Sequence, residues 1–259
     1  MRPDHHLPFA AITRIVVAIF ISLAALLLSS ACVLLPRHAI EDEIQNSLQP
    51  SPSVLVEPGR DLVFSPLPPS RRGFILYPGA QVVPSAYAVV GRALAELGYH
   101  TYILKMPFNL AVLDSNAATA IIRDNPQITE WLIGGHSLGG AMAADYVYKN
   151  PQAVDGLVLF AAWPVPDHSL ADRDLPMLSV YGQLDGLATV AEIDESRSRL
   201  PPHTKYVQID GGNHAQFGSY GLQKGDLAAT INKEEQFRLI KAALQAFIND
   251  NYPLEGKNP

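Results

Sequence analysis

Cysteine is almost missing from this chain. Cys32 is the only one in 259 residues, so no internal disulfide can form, and no CxxC pair exists. Histidines and acids do not fall at close metal-ligand spacing, so no metal centre is expected. Basic clusters are lacking too. The formal net charge is −6, and no run of Lys and Arg reverses it locally, which argues against a nucleic-acid partner. Neither GxxxxGK with a following Ser or Thr nor a GxGxxG after a strand occurs. Their absence removes the common phosphate and dinucleotide loops, and no cofactor is expected. No internal repeat is visible. What the chain does have is apolar content of 48%, enough for one well-buried domain plus something extra.

The extra part is N-terminal. Ile15 to Leu35, "IVVAIFISLAALLLSSACVLL", carries no charge over 21 residues, long enough to span a bilayer. Arg2 and Arg14 precede it, whereas Arg37 and the acidic run Glu41 to Glu43 follow, so the N-terminus should stay in the cytoplasm. Three readings fit residues 1–35. They form an uncleaved signal anchor, a signal peptide cleaved near Ser29-Ser30-Ala31, or a lipoprotein signal acylated at Cys32. The last departs from pattern, because Ser29 stands where Leu is wanted and Leu28 is one place too early. All three put the remaining chain outside the cytoplasm, held to the cell membrane or secreted. Residues 36–52 read as a polar linker, 53–250 as one globular domain and 251–259 as a tail.

Within the domain, Val54-Leu55-Val56 and Leu62-Val63-Phe64 flank Glu57-Pro58-Gly59-Arg60, a hairpin pattern. From Gly73 onward, short apolar runs alternate with helical periods. The runs are Gly73 to Tyr77, Thr101 to Leu104, Trp131 to Ile133, Gly156 to Phe160, Met177 to Tyr181 and Tyr206 to Ile209. The helices are expected at Tyr87 to Leu97, Ala117 to Arg123, Gly139 to Tyr148, Val190 to Leu200 and Lys233 to Ile248. Such alternation predicts an α/β fold: a mostly parallel sheet with helices on both faces.

One connection stands out: "WLIGGHSLGGAMAA", Trp131 to Ala144, where a strand should become a helix. Its Gly135-His136-Ser137-Leu138-Gly139 fits a nucleophile elbow. That turn is so tight that the residues two before and two after the serine must be small. It lifts the hydroxyl above the sheet and aims free N–H groups of a helix start at a reacting carbonyl. A serine needs a base, and the base needs an orienting acid. Asp185, in "VYGQLDGLAT", follows one later strand, and His214, in "IDGGNHAQFG", follows the next, in the order Ser, Asp, His. Asp210 lies too near His214 to serve, and His168 is the only serious rival base. His136 is expected to shape the site instead of acting as the base. For an oxyanion hole, Leu138 supplies one backbone N–H, and Ala80 or Gln81, in "YPGAQVV", the other.

With these pieces the sequence resembles the α/β-hydrolase superfamily. It is most similar to small single-domain bacterial hydrolases of the dienelactone-hydrolase and carboxylesterase pattern. The matching motifs are "YPGA", "GGHSLGGAMAA", "YGQLDG" and "GGNHAQFGSYG", over about residues 53–250. The resemblance implies Ser137 as nucleophile, Asp185 as acid and His214 as base. It also implies that Lys105 to Ala111, with Phe108, and Trp163 border the pocket. Dienelactone hydrolases carry Cys at the elbow; this chain carries Ser. Only Ala161 to Pro176 separates the strands that often bracket a lid, too short for a helical cap. The expected activity is acyl transfer from small ester-like substrates to water. The alternatives are a lipase, a thioesterase or a non-catalytic, membrane-tethered binding protein of the same fold.

Overall fold

The computed structural model describes residues 36–253. Eight strands form one sheet: β1 (Val54–Glu57), β2 (Leu62–Pro66), β3 (Arg72–Tyr77), β4 (His100–Ile103), β5 (Glu130–His136), β6 (Gly156–Phe160), β7 (Met177–Gly182) and β8 (Lys205–Ile209). Their order across the sheet is β1-β2-β4-β3-β5-β6-β7-β8. The expected hairpin is present, with β1 and β2 antiparallel and β2 antiparallel to β4. The remaining neighbours are all parallel.

Strand alternation explains why β3 and β6 read as continuous apolar runs: both faces of the sheet are covered. Phe74, Leu76, Val158 and Phe160 pack into one core layer with Val90, Leu94, Leu244 and Phe247. Those partners come from α2 (Ala88–Glu96) and α6 (Lys233–Asn251). Ile75, Tyr77, Leu157 and Leu159 point the other way, onto Ala143, Tyr146 and Val147 of α4 (Leu138–Lys149) and onto Ala118 of α3 (Ala118–Asp124). Helix starts follow local chemistry. Asn232 caps α6 by accepting the Glu235 N–H, and Thr189 with Glu192 forms a capping box on α5 (Val190–Ser196).

The stretch expected as a polar linker is structured. Helix α1 (Glu41–Leu48) buries Ile44 and belongs to the same core layer as α2. Its charged sequence hid a single buried position. The Arg92 guanidinium binds the carbonyls of Ser47 and Gln49, holding the end of α1 against α2. The other expected boundary also shifts. Helix α6 continues to Asn251, and the Tyr252 hydroxyl donates to the Asp155 carbonyl at 2.6 Å. The helix expected through Leu200 stops at Ser196 and tightens into a 3₁₀ turn, Arg197–Arg199.

Between β6 and β7 no helix is inserted. Leu170 is fully buried there and its N–H donates to the Arg199 carbonyl, so the segment lies packed on the domain. No helix among the described residues is long and apolar enough to cross a membrane. The apolar run Ile15 to Leu35, expected to form a membrane or signal helix, lies outside those residues.

Candidate active site

β5 ends at His136 and α4 begins at Leu138, leaving Ser137 alone in the turn. Ser137 adopts φ 53°, ψ −125°, a region that non-glycine residues avoid. The flanking glycines are required by contact. A Cβ on Gly135 would meet the Gly139 carbonyl carbon at 2.5 Å, and one on Gly139 would meet the Tyr77 oxygen at 2.1 Å. Both obstacles are backbone, so no side-chain rotation relieves them. The turn is therefore clamped between β5, α4 and the end of β3. Because α4 starts at Leu138, the N–H groups of its first turn have no carbonyl one turn back and carry the positive end of the helix dipole.

Asp185 and His214 come from the loops after β7 and β8 and are both buried. His214 Nδ1 and Asp185 Oδ2 lie 2.8 Å apart. The other oxygen of Asp185 accepts the N–H groups of Leu187 at 2.8 Å and Ala188 at 2.6 Å, fixing the carboxylate plane. With Nδ1 committed to the acid, the second ring nitrogen, Nε2, is buried and has no hydrogen-bond partner among the described residues. It is not bonded to Ser137 in this arrangement.

In the loop after β3, the Gly79 N–H donates to the Tyr87 hydroxyl at 2.9 Å, and the Gln81 N–H donates to the Asn109 carbonyl at 2.7 Å. The Ala80 N–H donates to no described residue, which separates it from Gln81, the other candidate. Tyr87 also bonds His136 Nδ1 at 2.9 Å. The Tyr87 hydroxyl thus ties the loop after β3 to the end of β5, and the direction of its bond to Nδ1 follows the tautomer of His136. Burial, and then the neighbouring His214, hold the pKa of His136 well below the usual value, so the ring stays neutral. Burial raises the Tyr87 pKa, so the hydroxyl keeps its proton.

The model of the alpha/beta hydrolase family matches residues 73–238, more than half of the chain. The chain belongs to the alpha/beta hydrolase family. Two solved structures are similar to this hydrolase in fold. One is a predicted CIB-like hydrolase from Thermoplasma acidophilum, with TM-score 0.53 and 19% identity, covering 75% of this chain and 99% of that one. The other is the esterase domain of a Rhodothermus marinus protein, with TM-score 0.56 and 14% identity, covering 76% of this chain and 97% of that one. No curated protein matches the sequence.

In this hydrolase the residues expected from sequence fall into two groups. Ser137, Asp185, His214 and Ala80 lie in loops or turns at the carboxyl ends of parallel strands, and Leu138 opens α4 there. His136 lies behind the site, its ring centroid 4.4 Å from that of His214 and stacked on Phe217 at 5.5 Å. It supports the imidazole and does not face outward as a substrate-binding residue would. Trp163 packs against the core layer that contains Phe160. Phe108 is 75% exposed, at φ 49° in a turn, so it offers an apolar surface to solvent. His168, the rival base, is bonded to Asp145 at 2.5 Å and stacked on Tyr148, both on α4.

Sequence reasoning missed Asp226. Its carboxylate accepts from Gly186 N at 3.1 Å, His214 N at 3.3 Å and Ala215 N at 2.8 Å, joining the acid loop to the histidine loop. Nothing in "GLQKGDLAAT" marks it. Asn213 lies in the motif "GGNHAQFGSYG". Its N–H and carbonyl are both held by the side chain of Gln236, a fully buried residue on α6. Among the described residues, no group of three or more His, Cys, Asp or Glu is placed to hold a metal ion.

Proposed function

We propose that this α/β hydrolase is a serine hydrolase that cleaves ester-type bonds through an acyl-enzyme. The observation that carries the reading is the buried Asp185–His214 pair, 2.8 Å apart, with the histidine's other nitrogen unclaimed, at the strand ends where Ser137 stands strained in its turn. In the proposed cycle His214 Nε2 takes the Ser137 proton as Oγ attacks the carbonyl carbon. Asp185 holds the tautomer and stabilises the imidazolium. The oxyanion receives the N–H groups of Leu138 and Ala80. His214 then protonates the leaving alkoxide, and water, deprotonated by the same nitrogen, releases the acid and restores Ser137. Unpaired apo geometry between Ser137 and His214 is compatible with this, because such bonds commonly tighten only with substrate bound.

Small soluble esters are the substrates of choice, since the segment between β6 and β7 lies packed on the domain with no helix to form a cap. A lipase reading draws on one observation, the exposed apolar residues Phe108, Val112, Leu113, Leu222 and Leu227 in the loops after β4 and β8. We also propose that Ile15 to Leu35 attaches the protein to the cell membrane with the hydrolase domain outside; protease protection of the domain in spheroplasts would refute that placement. The catalytic assignment is tested with Ser137→Ala, His214→Ala and Asp185→Asn on a chromogenic acetate ester. The first two should abolish turnover, and the third should lower it by about 10⁴. Full activity in any folded variant rejects the triad and leaves a binding protein of hydrolase fold.

A further inference from the structure

Five N–H groups line the loop from Gly79 to Val83. Four are spent: Gly79 on Tyr87, Gln81 on Asn109, Val82 on Gly79 and Val83 on Arg37. Only the Ala80 N–H is left over. Loop residue Gln81 sits at φ 63°, an unfavourable conformation for a side-chain-bearing residue. Such a conformation persists only where the surroundings over-determine it.

Much of that determination comes from one residue far away in sequence. Arg37 forms a parallel bridge with Val82. Its N–H donates to the Gln81 carbonyl at 2.5 Å and its carbonyl accepts the Val83 N–H at 3.2 Å. Its guanidinium donates to the Ala80 carbonyl at 3.0 Å. Three contacts therefore bracket Gln81 on both sides. Three residues on, the Ile40 N–H donates to the Ser219 carbonyl at 2.8 Å, in the loop that also carries His214. Behind this strap, α1 is pinned by the ion pair of Glu43 with Lys233 of α6, 2.5 Å apart.

We propose that Arg37 is a positioning residue: the segment Arg37 to Ile40 straps the loop that presents the Ala80 N–H, and so sets the oxyanion geometry. The inference rests on the serine-hydrolase reading above. Without the strap, Gln81 relaxes toward negative φ, the Ala80–Gln81 peptide turns away from Arg37 and Asn109, and the Ala80 backbone shifts with it, so its N–H loses its aim. An oxyanion donor acts chiefly in the transition state, so its misplacement lowers kcat and spares KM.

The experiment uses the full chain with Arg37→Met, Arg37→Lys and Val83→Pro. Val83 has φ −72°, which already suits proline, so that change removes its N–H to Arg37 without straining its own backbone, and the apolar ring replaces the half-buried valine side chain. Turnover of p-nitrophenyl acetate and the affinity of a trifluoromethyl ketone, which forms a tetrahedral adduct, are measured per folded molecule. Arg37→Met should lower kcat by about tenfold to a hundredfold, part of what deleting an oxyanion donor costs. KM should stay within about threefold, and ketone affinity should fall with kcat/KM. Arg37→Lys keeps a charged donor for the Ala80 carbonyl and should recover most of the loss. Val83→Pro should lower kcat in the same sense, which covers the case of an Arg37→Met chain that does not fold. Wild-type kcat and ketone affinity per folded molecule in either variant overturn the proposal, as does a loss expressed only in KM. A wild-type protein that neither turns over the ester nor binds the ketone fails at the earlier step, and the serine-hydrolase reading falls with it.

Discussion

Ser137 spends backbone energy to stand where it does, and His136 beside it spends side-chain energy to stay uncharged. The second cost is measurable. The folded pKa of His136 lies well below 6.5, so beneath pH 6.5 the unfolded chain takes up a proton that the folded chain refuses. This contribution to stability is full above pH 6.5 and is lost as pH falls toward the folded pKa, with a slope of up to about 1.4 kcal/mol per pH unit. Urea midpoints at pH 7.5 and 5.5 should drop more steeply for the wild type than for His136→Gln; parallel drops would show that the ring titrates normally. Ser137, Asp185 and His214 were legible in the sequence because an elbow, a strand-end acid and a strand-end histidine each leave glycine-rich punctuation. His136 was legible only as a neighbour. That its ring would face Tyr87 and His214 depends on which face of the sheet the last residue of β5 takes, and no local pattern states it.

At the scale of elements, the elbow and the loop after β8 hold the site together by different means. The elbow relies on backbone contact. Gly139→Ala would put a methyl 2.1 Å from the Tyr77 oxygen and 2.3 Å from that of Pro78. It should destabilise the fold by about 3 kcal/mol or more in urea unfolding. An unchanged midpoint would mean that the turn is looser than its geometry. The loop after β8 relies on hydrogen bonds to Asp226. Asp226→Ala frees the N–H groups of Gly186, His214 and Ala215 and lets the acid and histidine loops drift apart. On the proposed mechanism, steady-state kinetics should show kcat lower by about tenfold with KM little changed, as befits a residue that orients His214 without touching substrate. The strands and helices were readable from apolar periodicity, since β3, β5, β6 and β7 are buried on both faces. Helix α1 was not, because six of its eight residues are charged or polar, and its apolar anchors, Ile44 and the half-buried Leu48, meet the core only in the folded chain.

On the scale of the whole molecule, a single sheet gathers residues from Arg37 to Asp226 at the carboxyl ends of its parallel strands. The alternating pattern announced that sheet; the return of the N-terminal segment onto the loop after β3 is a long-range contact with no local trace. The segment between β6 and β7 is fastened to the domain through Leu170, Arg199 and the His168–Asp145 pair. With no cap to open, hydrolysis should favour short acyl esters and show no jump when substrate passes its solubility limit. Rates that climb beyond about ten acyl carbons, or rise sharply on emulsion, would favour a lipase. The central claim, that Ser137 is a nucleophile served by His214, is tested most directly by intact-protein and peptide mass spectrometry after reaction with a fluorophosphonate. The account predicts a single phosphonyl adduct on Ser137, none in Ser137→Ala and strongly slowed labelling in His214→Ala. No adduct on the folded wild-type chain, or one that persists in Ser137→Ala, would contradict it.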